Sequence, residues 1–357
     1  MAIYYIDENT GNRNTAGSKA PSDIAELCLQ LGYQSFVMPS LHFLDNRKML
    51  YAEEIVKLPE FWWNIYKRVS NKDILIYQHP TMGKPIAAKF IKGILENKHC
   101  KLVTVIHDLE LLRGGIKGII DVNTKQTNKF EKYILKHSSI IIAHNYKMKE
   151  YLVSIGMDEN KIVELEIFDY LHGTNRKNYI FTEKPSISIA GTLSPQKCGY
   201  IYNISSLQND EITINLYGKG FVEHGNDKLK YHGILKPEEL GEKMIGEYGL
   251  VWDGPSSRTC EGNTGTYLMY NNPHKASLYL SSGIPVITWA KAAISKYVLD
   301  NNVGISVDSL DDLQSILMDI SEERYREMVN NTREVSLKIS SGYYFTKAIK
   351  VSVEKLS

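Results

Sequence analysis

The chain lacks the residue patterns that organise metal and disulfide chemistry. Its four cysteines, Cys28, Cys100, Cys198 and Cys260, lie far apart with no Cys-x-x-Cys pair. That spacing excludes a zinc knuckle or a disulfide framework and fits a reducing cytoplasm. No Asp-x-Asp occurs anywhere, so a strand-end carboxylate pair of the kind that holds Mg²⁺ or Mn²⁺ is not available, and no metal is expected. Excess charge of one sign is missing too: 42 Lys+Arg against 41 Asp+Glu leave a net charge of +1, which argues against a dedicated nucleic-acid binder. No apolar run approaches the ~20 residues of a membrane span. The opening "MAIYYIDENTGNRN" has no basic segment followed by an apolar core, so no secretory leader is expected. The expected place is the cytoplasm, at most resting on a membrane surface.

What is present is enough for two domains of ordinary size: 357 residues, 43% apolar and 10% aromatic. The 23 tyrosines offer stacking faces and hydroxyls suited to a base or a carbohydrate, although an AT-rich genome produces the same enrichment.

Short apolar runs alternate with helical patterns along most of the length. "AIYYI", "SFVMPS", "DILIYQHP", "KLVTVIHD" and "SIIIAHN" read as strands, several of them continuous apolar runs typical of parallel strands buried on both faces. "APSDIAELCLQLGY", "KPIAAKFIKGILENK" and "YKMKEYLVSIGM" read as helices between them. A polar break over 173–186 reads as a linker. Strands then resume at "SISIAGTLS", "ITINLYGKG", "KLKYHGIL", "GLVWDG", "PVITW" and "GISV", with helices near 195–207, 236–246, 273–282 and 290–300 and a helix-break-helix tail. The expected class is α/β: two Rossmann-like, doubly wound domains facing a cleft. Ligands in such sheets sit beyond the carboxyl ends of the strands.

The candidate chemistry lies at those ends. In the first loop, Gly17 and Ser18 precede a helix whose amides suit anionic oxygen, with Thr15 and Lys19 adding a hydroxyl and a charge. An ordinary strand-to-helix loop with Ser22 as cap is the plainer reading. In "VIHDLELLRGG", His107 and Asp108 close a buried strand. Asp can accept a proton from an attacking hydroxyl, and His can orient it or share the work. Arg113 follows on the same loop, and the plainer reading is Asp108 as a helix cap. In the second half, Gly191 and Thr192 end one strand and Tyr217 and Gly218 end another, where a phosphate, a sugar or a base could lie. "GLVWD" ends at Asp253, a long loop follows, and a helix opens at Pro273 with His274 and Lys275 in its first turn after Asn271-Asn272. Cations are unfavourable at the positive end of a helix dipole. A bound diphosphate would remove the conflict, taking backbone amides and the Lys275 charge together; solvated side chains would also relieve it.

"IHDLELLRGG", "KIVELEIFDYL", "SIAGTLSPQKCGYIY" and the block from "GLVWDG" through "NNPHKASLYLSSGIPVITWAKAAIS" to "KISSGYYF" together resemble the bacterial β-1,6-galactofuranosyltransferases of O-antigen, capsule and exopolysaccharide assembly. More distantly they resemble the glucosyltransferases of streptococcal serine-rich adhesins. The resemblance spans about Thr15 to Phe345. It implies a GT-B fold, with an acceptor-side domain over 1–178, a nucleotide-sugar-binding domain over 179–338 and a final helix over 339–357 packing back on the first. It implies a hexosyltransferase with UDP-galactofuranose as donor, no cofactor, and a saccharide acceptor, often lipid-linked, at the inner face of the plasma membrane. A β product from an α-linked donor requires inversion, hence a single displacement with one general base, and O6 is the implied acceptor position. By position, Asp108 carries the base role with His107 as rival. His274 and Lys275 carry the diphosphate, Tyr217 and Gly218 the nucleotide, and Asp253, Asn271 and Asn272 the donor sugar. Glu261 departs from the small residue common in the family there.

Lys84, Lys89, Lys92, Lys98 and Lys101 surround Phe90, Ile91 and Ile94, with "FWWNIY" upstream. Such a surface can touch anionic lipid or can simply cover the sheet. Transfer of glucose from a UDP donor, a non-catalytic sugar-nucleotide-binding subunit and a homodimer all stay open at this point.

Overall fold

In a computed structural model the protein is described over residues 1–8, 16–42, 46–113, 122–171, 181–182, 184–203, 212–223 and 228–357. Its contacts group into two compact units, Met1–Leu165 with Phe345–Ser357, and Glu166–Tyr344.

The first unit runs β1 (Ile3–Asp7), α1 (Ala16–Gln30), β2 (Gln34–Val37), α2 (Arg47–Arg68), β3 (Ile74–His79), α3 (Lys84–Gly93), β4 (Lys101–Ile106), α4 (Glu110–Arg113), α5 (Val122–His137), β5 (Ile140–Ala143), α6 (Tyr146–Ser154) and β6 (Ile162–Glu164). All strands pair in parallel in the order β2-β1-β3-β4-β5-β6. Every residue of β3 and β5 is buried, as the unbroken apolar runs require of strands covered on both faces. The order reverses between β1 and β3, so the carboxyl ends of those two strands flank the crevice where such sheets bind ligands.

The second unit runs β7 (Ser186–Thr192), α7 (Pro195–Cys198), α8 (Tyr200–Asn203), β8 (Thr213–Lys219), β9 (Leu229–Tyr231), α9 (Pro237–Lys243), β10 (Tyr248–Val251), α10 (Gly262–Tyr267), α11 (His274–Ser281), β11 (Val286–Trp289), α12 (Ala293–Asp300), β12 (Gly304–Val307), α13 (Leu313–Met318) and α14 (Glu322–Ser340). The chain closes on α15 (Tyr343–Leu356), which from Phe345 onward belongs to the first unit. Its six strands are parallel in the order β12-β11-β10-β7-β8-β9. The reversal falls between β7 and β10, which end at Thr192 and just before Asp253. Helix α11 packs its Tyr279 ring where a Cβ on Gly249 of β10 would stand, 2.2 Å away. The Tyr279 hydroxyl accepts the Ala190 N–H of β7 at 2.8 Å, so α11 is fixed to both strands of the reversal.

Two details differ from the reading of the sequence. The loop after Asp253 contains a helix, α10. Pro273 is the N-cap of α11 with extended backbone (φ −70°, ψ 135°), one position before the helical turn. The 22-residue α2, with Pro59 inside it, buries Leu58, Phe61, Trp62 and Ile65 against the sheet, while Trp63 is half exposed and stacks on Tyr66 at 5.3 Å. Ile91 and Ile94 join the same core. Of the lysines around them, Lys84 pairs with Glu110 at 3.0 Å, Lys92 with Glu96 at 3.8 Å, and Lys98 lies over the Tyr66 ring. No helix among the described residues is long and apolar enough to cross a membrane.

Candidate active site

Beyond the carboxyl ends of β3 and β4 the first unit gathers a buried polar cluster. Gln78, the penultimate residue of β3, donates from Nε2 to the carbonyls of Ile6 (3.3 Å) and Pro21 (3.2 Å), which fixes its amide orientation. Its Oε1 therefore accepts, and His107 Nε2 must be the donor across 2.7 Å. That bond sets the His107 tautomer. Asp108 is partly exposed, with Oδ2 held by Arg113 Nη1 at 2.7 Å. The amides of His107 and Asp108 both point to the His79 carbonyl, at 2.7 and 3.4 Å. A carboxylate at a strand end, oriented by a guanidinium and open to solvent on one side, can take a proton from a hydroxyl.

At the reversal in the same sheet, Glu8 follows β1, is 7% exposed, and has an Oε1 with no hydrogen-bond partner among the described residues. Burial, reinforced by the Asp7 charge, pushes its carboxyl up to about 8. Glu8 is then protonated in the folded chain and ionised in the unfolded one between about pH 4.5 and 8. The folded state binds the extra proton there, so stability is greatest below that window and falls as pH rises through it. Glu8→Gln is expected to flatten this fall. Its stability above pH 7 should exceed that of the wild type by at least the ~1.4 kcal/mol that one pKa unit represents, seen as a higher melting temperature at pH 8 but not at pH 5.

In the second unit the cluster forms around Asp253, 6% exposed just beyond β10. Lys275, in the first turn of α11, places its Nζ 2.7 Å from Asp253 Oδ1 and 2.8 Å from the Trp252 carbonyl. Burial acts to lower the Lys275 pKa, but the Asp253 carboxylate outweighs it and holds the ammonium above its ordinary value. Lys197 of α7 approaches the other carboxylate oxygen at 3.9 Å. Two ammonium groups meet one carboxylate, leaving one net positive charge at the reversal of the sheet. No side chain among the described residues caps α11, so the positive end of its dipole adds to that surplus. Asn271 Oδ1 is a buried acceptor with no partner among the described residues. Gly191 and Gly218 are register partners with φ of 126° and 135°. A Cβ on Gly218 would stand 1.8 Å from the Gly191 carbonyl oxygen, so only glycine lets these two strand ends approach.

Family models for glucosyltransferase 3-like proteins match both halves, the N-terminal domain over residues 3–167 and the C-terminal domain over 187–352. The β-1,6-galactofuranosyltransferase WbbI of Escherichia coli K12 is 31% identical over 99% of both chains. The chain belongs to the glucosyltransferase 3-like family. Glucosyltransferase 3 of Streptococcus gordonii is 26% identical over 92% of both chains. Among solved structures, Anabaena HepE in complex with UDP and glucose superposes with a TM-score of 0.59 over the full length of both, at 11% identity. The protein is a glycosyltransferase with two Rossmann-like domains of the GT-B type.

For this family member the structure brings together some of the residues singled out in the sequence and separates others. Asp253 and Lys275, read as a sugar contact and a phosphate contact, are one ion pair. Asn272 Nδ2 donates to the Glu166 carbonyl at 2.6 Å, and His274 lies against the rings of Phe168 (5.5 Å) and Tyr170 (5.4 Å). Tyr217 is buried, stacked on His232 at 4.8 Å, with its hydroxyl accepting Ile245 N–H at 2.9 Å. Thr192 accepts from the Cys198 thiol through its carbonyl at 3.2 Å. Ser18 and Lys19 lie buried in α1, and Lys19 pairs with Asp23. Thr15 and the side of α1 at Gly17 lie outside the described residues, as do Gly114 and Gly115. Sequence reading passed over Gln78, His79 and Glu131. The first two were findable, since "QHP" closes a strand as "IHD" does. Glu131, inside an ordinary amphipathic helix, had no such signal. Among the described residues no group of three His, Cys, Asp or Glu is arranged to hold a metal ion.

Proposed function

We propose that the chain transfers galactofuranose from UDP-galactofuranose to a sugar hydroxyl, O6 by the family resemblance, with inversion and without a metal ion. The carrying observation is the charge surplus at the β7–β10 reversal, where Lys275, Lys197 and the uncapped end of α11 surround Asp253. In one displacement the acceptor oxygen bonds to the anomeric carbon as its proton passes to Asp108. The bond to the diphosphate breaks, and the electron pair leaves on the β-phosphate oxygen. Preorganised cations and a helix end stabilise that developing charge, which is the work a divalent ion would otherwise do. Asn271 Oδ1 supplies an acceptor for a donor-sugar hydroxyl, and Gly191 and Gly218 let the nucleotide approach the backbone. Arg113, Thr15 and the first turn of α1 with Gly17, Ser18 and Lys19 are assigned to the substrate side of the first unit. The 31% identity to a galactofuranosyltransferase supports the furanose donor, and the UDP complex of a protein with the same fold supports UDP.

The acceptor is read as a saccharide, lipid-linked in cell-surface polysaccharide synthesis and met at the cytoplasmic face of the membrane, with the chain touching that surface peripherally. A second reading, a UDP-glucose donor, is favoured by the family description and the streptococcal relative. Mass spectrometry of products from a panel of UDP-sugars, with UDP-galactofuranose generated in place, is expected to give an acceptor extended by one hexosyl mass only where UDP-galactofuranose is supplied, and that product persists in EDTA. Product from UDP-glucose alone would establish the second reading. No transfer or donor hydrolysis from any UDP-sugar would make the chain a non-catalytic binding subunit. Loss of activity in EDTA restored by Mg²⁺ or Mn²⁺ would overturn metal independence.

A further inference from the structure

One fully buried carboxylate in the first unit has no part in the reaction just described. Glu131 on α5 has no solvent exposure. Its Oε1 accepts from His79 Nε2 at 2.9 Å and from the Glu110 N–H at 2.9 Å, and its Oε2 accepts from the Leu111 N–H at 2.8 Å. A carboxylate only accepts, so His79 donates from Nε2. Burying an ionised carboxylate is costly unless such donors repay its lost hydration, and here three do.

The position of those donors matters. Glu110 and Leu111 open α4, one residue past the His107–Asp108 pair. His79, the other donor, turns its carbonyl to the amides of His107 and Asp108. The pair is therefore gripped on its N-terminal side by the His79 backbone and on its C-terminal side by Glu131. The His79–Glu131 bond joins the two grips. A shift of either group moves the segment that carries Asp108, and a displacement of about 1 Å at a reacting group can cost on the order of 100-fold in rate.

We propose that Glu131, acting with His79, is a positioning residue that sets where Asp108 presents its carboxylate to the acceptor hydroxyl. This rests on Asp108 being the base. Glu131→Gln keeps the shape but turns an NH₂ toward backbone N–H or imidazole donors, so at least one of the three bonds is lost. The expected result is a fall in kcat of about 10- to 100-fold, with the KM for donor and UDP binding unchanged. In an Asp108→Asn background the same substitution should cost nothing further, because residues acting as one unit are not additive. A merely structural Glu131 would lower the melting temperature and leave kcat below that temperature at the wild-type value, and that result overturns the proposal. Should Glu131→Gln fail to fold, Leu111→Pro removes the Oε2 donor in the first turn of α4, where the amide serves no bond within the helix, and the same kcat loss is expected; wild-type kcat there overturns the proposal equally. The two failures are distinguishable: an active Asp108→Asn removes the base assignment itself, whereas an inactive Asp108→Asn beside a fully active Glu131→Gln removes only the positioning role.

Discussion

Asp108→Asn is expected to lower transfer by about 10²- to 10⁴-fold, the range for removing a general base, while UDP still binds. The amide keeps the side chain's volume and can still accept from Arg113 Nη1, which lies 2.7 Å from the carboxylate in the wild type. The geometry of the loop should therefore persist, and what is lost is the capacity to take the acceptor's proton. UDP affinity should not change, because the proposed diphosphate contacts lie on the second unit, at residues 191–275, whereas Asp108 follows β4 of the first. Product formation and calorimetric UDP titration on the same preparation separate the two. A variant that transfers at the wild-type rate would move the base to His107, whose Nε2–H is committed to Gln78 Oε1 and whose Nδ1 would then have to receive the proton.

The strand ends were legible because a parallel strand buried on both faces must be a continuous apolar run, and the first polar residue after it marks the loop. "KLVTVIHD" and "GLVWD" therefore pointed to His107, Asp108 and Asp253 without any knowledge of the partners. The partners themselves were not legible. Lys275 meets Asp253 although 22 positions separate them, because β10 and β11 lie side by side with α11 as their crossover; spacing along the chain says nothing of that return. The α2 helix was obscured for a local reason: Pro59 and the aromatic cluster around Trp62 weaken its helical pattern, and burial of Leu58, Trp62 and Ile65 overrides that weakness. Likewise α7 and α8 are two short turns, broken at Gly199, where the sequence suggested one helix from 195. A Cβ at Gly199 would stand 2.7 Å from both the Pro195 carbonyl oxygen and the Pro255 Cα, so close packing of the loop after Asp253 needs the glycine there.

Lys275→Met carries the largest expected cost to stability. Removing one member of a buried ion pair leaves the other charge uncompensated, typically at about 3–5 kcal/mol, and Asp253 is 6% exposed, with Lys197, 3.9 Å away, as the remaining cation among the described residues. At about 2–4 °C per kcal/mol for a unit of this size, the melting temperature should fall by roughly 10 °C. The double variant Lys275→Met with Asp253→Asn should recover part of that loss, since it removes the stranded charge as well as its partner. The pair's contribution should not vary across ordinary pH. An ammonium held above its usual value is fully protonated in both states below about pH 10, so its stabilisation is complete there and is lost only as the pH rises through the higher folded value. A stability scan from pH 5 to 9 therefore reports Glu8, whose carboxyl is pushed up to about 8, together with His144, whose imidazole is held down to about 4 by burial, and not Lys275. UDP binding supplies the functional half of the test. Loss of a charge-assisted contact to the diphosphate should weaken binding by about 10- to 100-fold, measured well below the variant's melting temperature. If the variant loses stability but binds UDP as the wild type does, Lys275 serves only to neutralise Asp253, and the diphosphate must be held by other groups.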